Sequence, residues 1–137
     1  KQKQMNEISN KLKSHFLRLY QMAFTDDDFD KLELKMLYHF ATERGVSEEQ
    51  LQDVLLNPSF ENSEVPDSLD QKIDYLNDLA KMIWADGKVH QNERDTLLKY
   101  TRKFGFKEEN LEGLVDFLLE CAKEDFTLEK ILLIINE

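Results

Sequence analysis

Apolar residues recur along the chain at intervals of three and four, the spacing that lines one face of a helix. Met5, Ile8, Leu12, Phe16, Leu19 and Ala23 form a first stripe, and Phe29, Met36, Leu37, Phe40 and Ala41 a second. Gly45 suits the left-handed residue that closes the second helix, and Ser47 with Gln50 makes a capping box for a short third through Leu51, Val54 and Leu55. Asn57 and Pro58 stop it. Residues 57–68 hold both prolines and little periodicity, which predicts the longest loop, closed by Ser68 and Gln71 as the next capping box. Leu69, Ile73, Leu76, Ala80 and Ile83 then mark the buried face of a long helix ending at Asp86-Gly87, and a further helix runs from about His90 to Phe104. After Gly105, a stripe of Leu111, Leu114, Val115, Leu118, Leu119 and Ala122 precedes a last helix, Leu128 to Ile135, capped by Thr127. That helix is apolar nearly all round, which predicts that its neighbours bury it. The sum is an all-α bundle of about seven helices.

Displacing the sequence by 60 residues lays 19–55 on 79–115 without a gap, and nine of the 37 positions are identical: Leu19/Leu79, Met22/Met82, Asp26/Asp86, Glu33/Glu93, Leu37/Leu97, Gly45/Gly105, Glu48/Glu108, Glu49/Glu109 and Leu51/Leu111. Average residue usage would give about two or three. The matches fall at helix ends, caps and core positions. They predict two three-helix repeats, each running helix, acidic turn, helix, glycine turn, helix, packed about a pseudo-twofold axis into one core.

Composition fits that picture and narrows the function. A length of 137 residues gives one domain, 1–137, and four Gly with two Pro are too few for the closely spaced turns of a β-sandwich or barrel. The net charge of −10 argues against binding nucleic acid, which wants a basic face to neutralise phosphates. Residues 1–18 nevertheless carry a local +4, an asymmetry that could orient a partner or simply be the solvated face of a first helix. Cys121 is the single cysteine, so no intrachain disulfide forms, and no apolar run reaches the roughly 18 to 20 residues of a membrane span. Those features predict a cytoplasmic protein without a direct membrane span. The start at Lys1 rather than Met leaves a preceding tail or anchor open.

The acidic turns are the first chemical candidates. Each copy has an Asp at a helix end and a Glu seven residues later, Asp26 with Glu33 and Asp86 with Glu93. The second copy, Asp86-Gly87-Lys88-Val89-His90-Gln91-Asn92-Glu93, matches the latter part of an EF-hand loop, but Met82 and Trp84 stand where the earlier oxygen ligands belong, which excludes an EF-hand. A different cation site stays open. Asp26, Asp27, Asp28, Asp30 and Glu33 crowd five carboxylates into eight positions, and calcium or magnesium would suit them. The alternative is that Glu33 and Glu93 cap the helices that follow, with Glu93 turned inward over the preceding turn beside Val89, Leu97 and Tyr100.

The run Leu79-Ala80-Lys81-Met82-Ile83-Trp84-Ala85-Asp86-Gly87-Lys88-Val89-His90-Gln91-Asn92-Glu93, followed by Phe104-Gly105-Phe106, resembles the signature of the TerB-like family of tellurite-resistance proteins, whose domain also occurs beside the J-domain of DjlA-type co-chaperones. The resemblance spans about residues 19–135. It implies an all-helical bundle in bacterial stress-response assemblies, in the cytoplasm or at the inner membrane face. It also implies a metal site, which falls on Asp86 and Glu93, with Asp26 and Glu33 as the degenerate partners. Asp27 stands where that motif wants Gly.

Signals for catalysis are few. None of His15, His39 and His90 has the Ser, Cys or paired carboxylates of a nucleophilic site nearby in sequence, and no phosphate loop, zinc spacing or dinucleotide fingerprint occurs. His15 and His39 flank polar helix faces, which predicts surface histidines; His90 suits a cap; Cys121 on an apolar face reads as an inert buried thiol. Lys99, Arg102, Lys103 and Lys107 form a basic patch interleaved with Tyr100 and Phe104, and with Trp84 they are candidates for a self-association or client-binding surface. The expectation is a non-catalytic protein-interaction module of a stress-response or membrane-associated complex. A divalent-cation sensor or buffer is the alternative; an enzyme or nucleic-acid-binding domain has less support.

Overall fold

The computed structural model describes residues 8–23, 31–56 and 64–136, with Lys31, Leu32 and Asp86 described by their backbone alone. Seven α-helices appear among them and no strand: α1 Asn10–Ala23, α2 Lys31–Glu43, α3 Glu48–Leu56, α4 Leu69–Ile83, α5 Gln91–Lys103, α6 Glu108–Lys123 and α7 Leu128–Ile135. No helix among them is long and apolar enough to cross a membrane. The predicted Met5 and Phe29, and residues 57–63 of the predicted loop, lie outside the described residues.

Local chemistry sets the helix ends. Ser9, Ser68 and Thr127 each accept the backbone N–H three residues on, at 3.1 Å, which starts α1, α4 and α7. Ser47 and Gln50 form a reciprocal capping box at 3.1 and 3.0 Å. After α2, Gly45 takes φ 75° and lets the Val46 N–H reach back to Ala41 O at 2.9 Å. The same turn closes α6, where Phe126 N–H meets Cys121 O at 2.9 Å, but its left-handed residue is Asp125 at φ 58°. The fourth helix stops sooner than periodicity predicts: α4 ends at Ile83, and Trp84–Asp86 tighten into a 3-10 turn closed by Gly87 at φ 84°.

The axis of the bundle is α4, which packs against α1, α2, α5, α6 and α7. Phe16, Leu19, Met22, Leu37, Ile73, Leu76, Leu79, Met82, Ile83, Leu97 and Phe104 fill the core. A helix with that many neighbours has little exposed face, so Tyr75, Asn77 and Asp78 are buried along with the apolar stripe. Two predicted burials fail at the periphery. Leu69, in the first turn of α4 and clear of the crossing helices, is 40% exposed. Helix α7 covers one side of α4 and buries only Ile131, leaving Leu133 66% exposed.

Candidate functional site

Burying the polar side of α4 forces its carboxylates to find partners, because an uncompensated buried charge is costly. Asp78 Oδ2 lies 2.8 Å from His15 Nε2 of α1 and 2.6 Å from an Arg44 terminal nitrogen just after α2. The same Arg44 nitrogen donates to Asp74 Oδ2 at 3.0 Å, and the other donates to Phe40 O at 3.2 Å. The His15 ring stacks on Tyr75 with centroids 3.9 Å apart and planes 6° apart. Three elements thus meet at one polar cluster that ties α1 and the end of α2 to α4.

This corrects the surface assignment of His15, whose residue is 0% exposed. Periodicity sees a histidine next to a polar stripe and cannot see α4 closing over it. Burial pulls the His15 pKa below its ordinary value, against the opposing pull of the hydrogen bond to Asp78. The physical reason is on the ring: Asp78 already shares its charge with Arg44, and Nδ1 has no hydrogen-bond partner, so a second N–H would face nothing. Burial likewise holds the Asp74 carboxyl above its usual range although Arg44 lowers it. A histidine polarised by a carboxylate resembles an acid–base pair, but this one is sealed inside the bundle and serves to fix three elements together. His39, in contrast, is exposed as predicted and lies 3.3 Å from Glu43.

Glu33 and Glu93, in the first turns of α2 and α5, are both buried. Glu93 Oε1 accepts the His90 backbone N–H at 3.3 Å, the return half of a capping box. Asp26 lies outside the described residues, as does the Asp86 side chain, so of the four residues that the resemblance assigns to metal only Glu33 and Glu93 have described carboxylates. Among the described residues no group of three or more His, Cys, Asp or Glu is placed to hold a metal ion. One Glu93 carboxylate oxygen is engaged at the start of α5.

Trp84 is half-buried at the 3-10 turn, where its indole N–H donates to Leu119 O at 2.8 Å and Lys123 Nζ stands 5.9 Å from the ring centroid. It locks the turn to α6. Lys99, Arg102 and Lys103 are exposed on α5 as the interaction reading requires. They do not form one free patch: Arg102 Nε spans both Glu108 oxygens at 3.0 and 2.9 Å, and Lys99 lies 5.0 Å from the Tyr100 centroid. Cys121 is buried, and burial pushes its thiol pKa up.

Sequence reasoning missed a second buried cation. Arg18 of α1, 5% exposed, lies 4.9 Å from the Phe104 ring centroid and 5.9 Å from that of Tyr100, and donates to Glu64 O. Its i+3 spacing from His15 was the available signal: two polar groups in register next to the apolar stripe of Leu12, Phe16 and Leu19. Comparison with protein-family models, with curated proteins and with solved structures found no match to this chain.

Proposed function

We propose that the chain is a TerB-like, non-catalytic protein-interaction module of a bacterial stress-response complex, built from two three-helix repeats. The repeat reading draws support from element bounds: α2 and α5 end at Glu43 and Lys103, and α3 and α6 begin at Glu48 and Glu108, offsets of 60 in both cases. Buried pairs keep the same offset, including Leu19/Leu79, Met22/Met82, Glu33/Glu93 and Leu37/Leu97.

The observation that carries the interaction reading is α7. It starts on a hydroxyl cap as α1 and α4 do, at residues 9, 68 and 127, a constant spacing of 59. The next two helices pack on α1 (α2 and α3) and on α4 (α5 and α6), whereas α7 rests on α4 with Leu133 exposed and Leu132, Ile134 and Ile135 only partly covered. By analogy with α1 and α4, the partner is an amphipathic helical segment that covers this apolar face. The test is affinity capture from native bacterial lysate with the native chain and with Leu133→Ser, a change at an exposed position that spares the fold. A helical partner retained by the native chain and lost with Leu133→Ser is the expected result; the same retained proteins with both, or none, rejects the reading.

The divalent-cation reading has less support, because Glu93 is engaged as a cap. Melting in millimolar calcium or magnesium separates the two: an unchanged Tm rejects the cation sensor, and a rise abolished by Asp86→Asn with Glu93→Gln would install it.

A further inference from the structure

We propose that Arg18 is the centre of a binding site for a small oxyanion, phosphate or carboxylate, between α1, the Glu64–Asp67 segment and the turn joining α5 to α6. Arg18 is buried and Arg44 half-buried, and the two are treated differently. Arg44 is matched by Asp74 and Asp78. Arg18, more deeply buried, is paired with no carboxylate among the described residues: one terminal nitrogen donates to the Glu64 carbonyl, while the other is buried with no hydrogen-bond partner. Phe104 and Tyr100 offer ring faces to the cation, but a ring face does not satisfy the N–H groups on the guanidinium edge. In a chain with 28 acidic and 18 basic residues, a buried guanidinium without an acid is a gap that an external anion fills.

A second cation reaches the same turn. Lys72 Nζ of α4 lies 5.6 Å from the Phe106 ring centroid and 3.7 Å from where a Cβ on Gly105 would sit, and its charge also acts on Asp67. Asp67 of the covering segment is exposed and paired with Lys11 at 2.6 Å. Glu64 contributes its backbone, its carbonyl to Arg18 and its N–H to Ser14 Oγ at 3.0 Å. Among the described residues the covering segment is held to α1 by two hydrogen bonds and one exposed ion pair, and an oxyanion enters by displacing the Glu64 carbonyl from the planar fork. Two oxygens of one anion then match the two terminal nitrogens.

The experiment follows the Arg18 side-chain N–H resonances and the Tm of the full chain in phosphate, acetate and chloride at matched ionic strength. Expected are a saturable shift of the Arg18 resonances and, at about 20 mM phosphate, a Tm rise on the order of 2 to 4 °C that chloride does not give. Response to phosphate alone assigns the site to phosphate, and equal response to acetate assigns it to carboxylates as well. Arg18→Lys, which keeps the charge but not the fork, abolishes the saturable rise; Lys72→Gln weakens the midpoint by roughly 3- to 10-fold. If Arg18→Lys does not fold, the native resonances decide. Arg18 resonances indifferent to all three salts, or a phosphate effect retained in Arg18→Lys, overturn the proposal.

Discussion

Removing the Asp78 carboxylate tests the buried cluster most directly. Asp78→Ala deletes the acceptor shared by His15 at 2.8 Å and Arg44 at 2.6 Å. Breaking a buried pair by removing one partner costs about 3 to 5 kcal/mol. Arg44 keeps Asp74 and the Phe40 carbonyl, but the His15 Nε2–H is left in the core with no acceptor, so the expected loss is about 3 to 4 kcal/mol. Against a typical total of about 5 to 15 kcal/mol this is a large fraction. With an unfolding entropy near 2.1 cal/mol/K per residue, it lowers Tm by roughly 10 to 14 °C. Calorimetry at pH 7.5 or so measures it; a loss under about 1 kcal/mol would refute the view that Asp78 holds the elements together.

The same cluster sets a pH dependence. The His15 pKa is lowered in the fold, chiefly by burial, so below its ordinary value of 6.5 the unfolded chain binds a proton that the folded chain resists. Stability from this source is complete above that pH and is lost as pH falls through it. Asp74 acts in the opposite sense, since burial raises its pKa and acid relieves the cost of its charge. His15→Phe keeps a ring on Tyr75 and removes the titration, so the decline in Tm between about pH 7 and 5.5 flattens; an undiminished slope would place the proton elsewhere.

Three further substitutions probe other joints. Asp125→Gly should raise Tm by about 1 to 3 °C, because relief of a left-handed Asp outweighs the added chain entropy and the 3.8 Å exposed contact with Lys81 contributes little; a fall in Tm contradicts this. Glu93→Ala should cost about 1 to 2 kcal/mol in urea unfolding, whereas Glu93→Gln, which retains an acceptor for the His90 N–H, should cost less than half as much; equal losses would mean that charge rather than capping is at work. Trp84→Phe should cost about 1 to 2 kcal/mol by leaving Leu119 O without its indole donor, while Trp84→Phe at no cost would detach this turn from α6.

The helices, their caps and the acidic turn were legible in the amino-acid order because each depends on residues within four positions of one another. Ser47 with Gln50, the Ser68 cap, Gly45 and the inward Glu93 all stand where local rules place them. The turn at Asp125 was harder to see, since geometry there is left-handed without the glycine that usually announces it. Only tertiary packing made α4 the hub, and that decided which polar groups went inside. His15, Arg18, Arg44, Asp74 and Asp78 are separated by up to 63 positions, and their burial depends on helices crossing from several sides. Periodicity reports which face of a helix is apolar; it does not report how many neighbours surround that helix. The same limit explains α7, whose composition asks for burial on all sides and which the fold supplies on one.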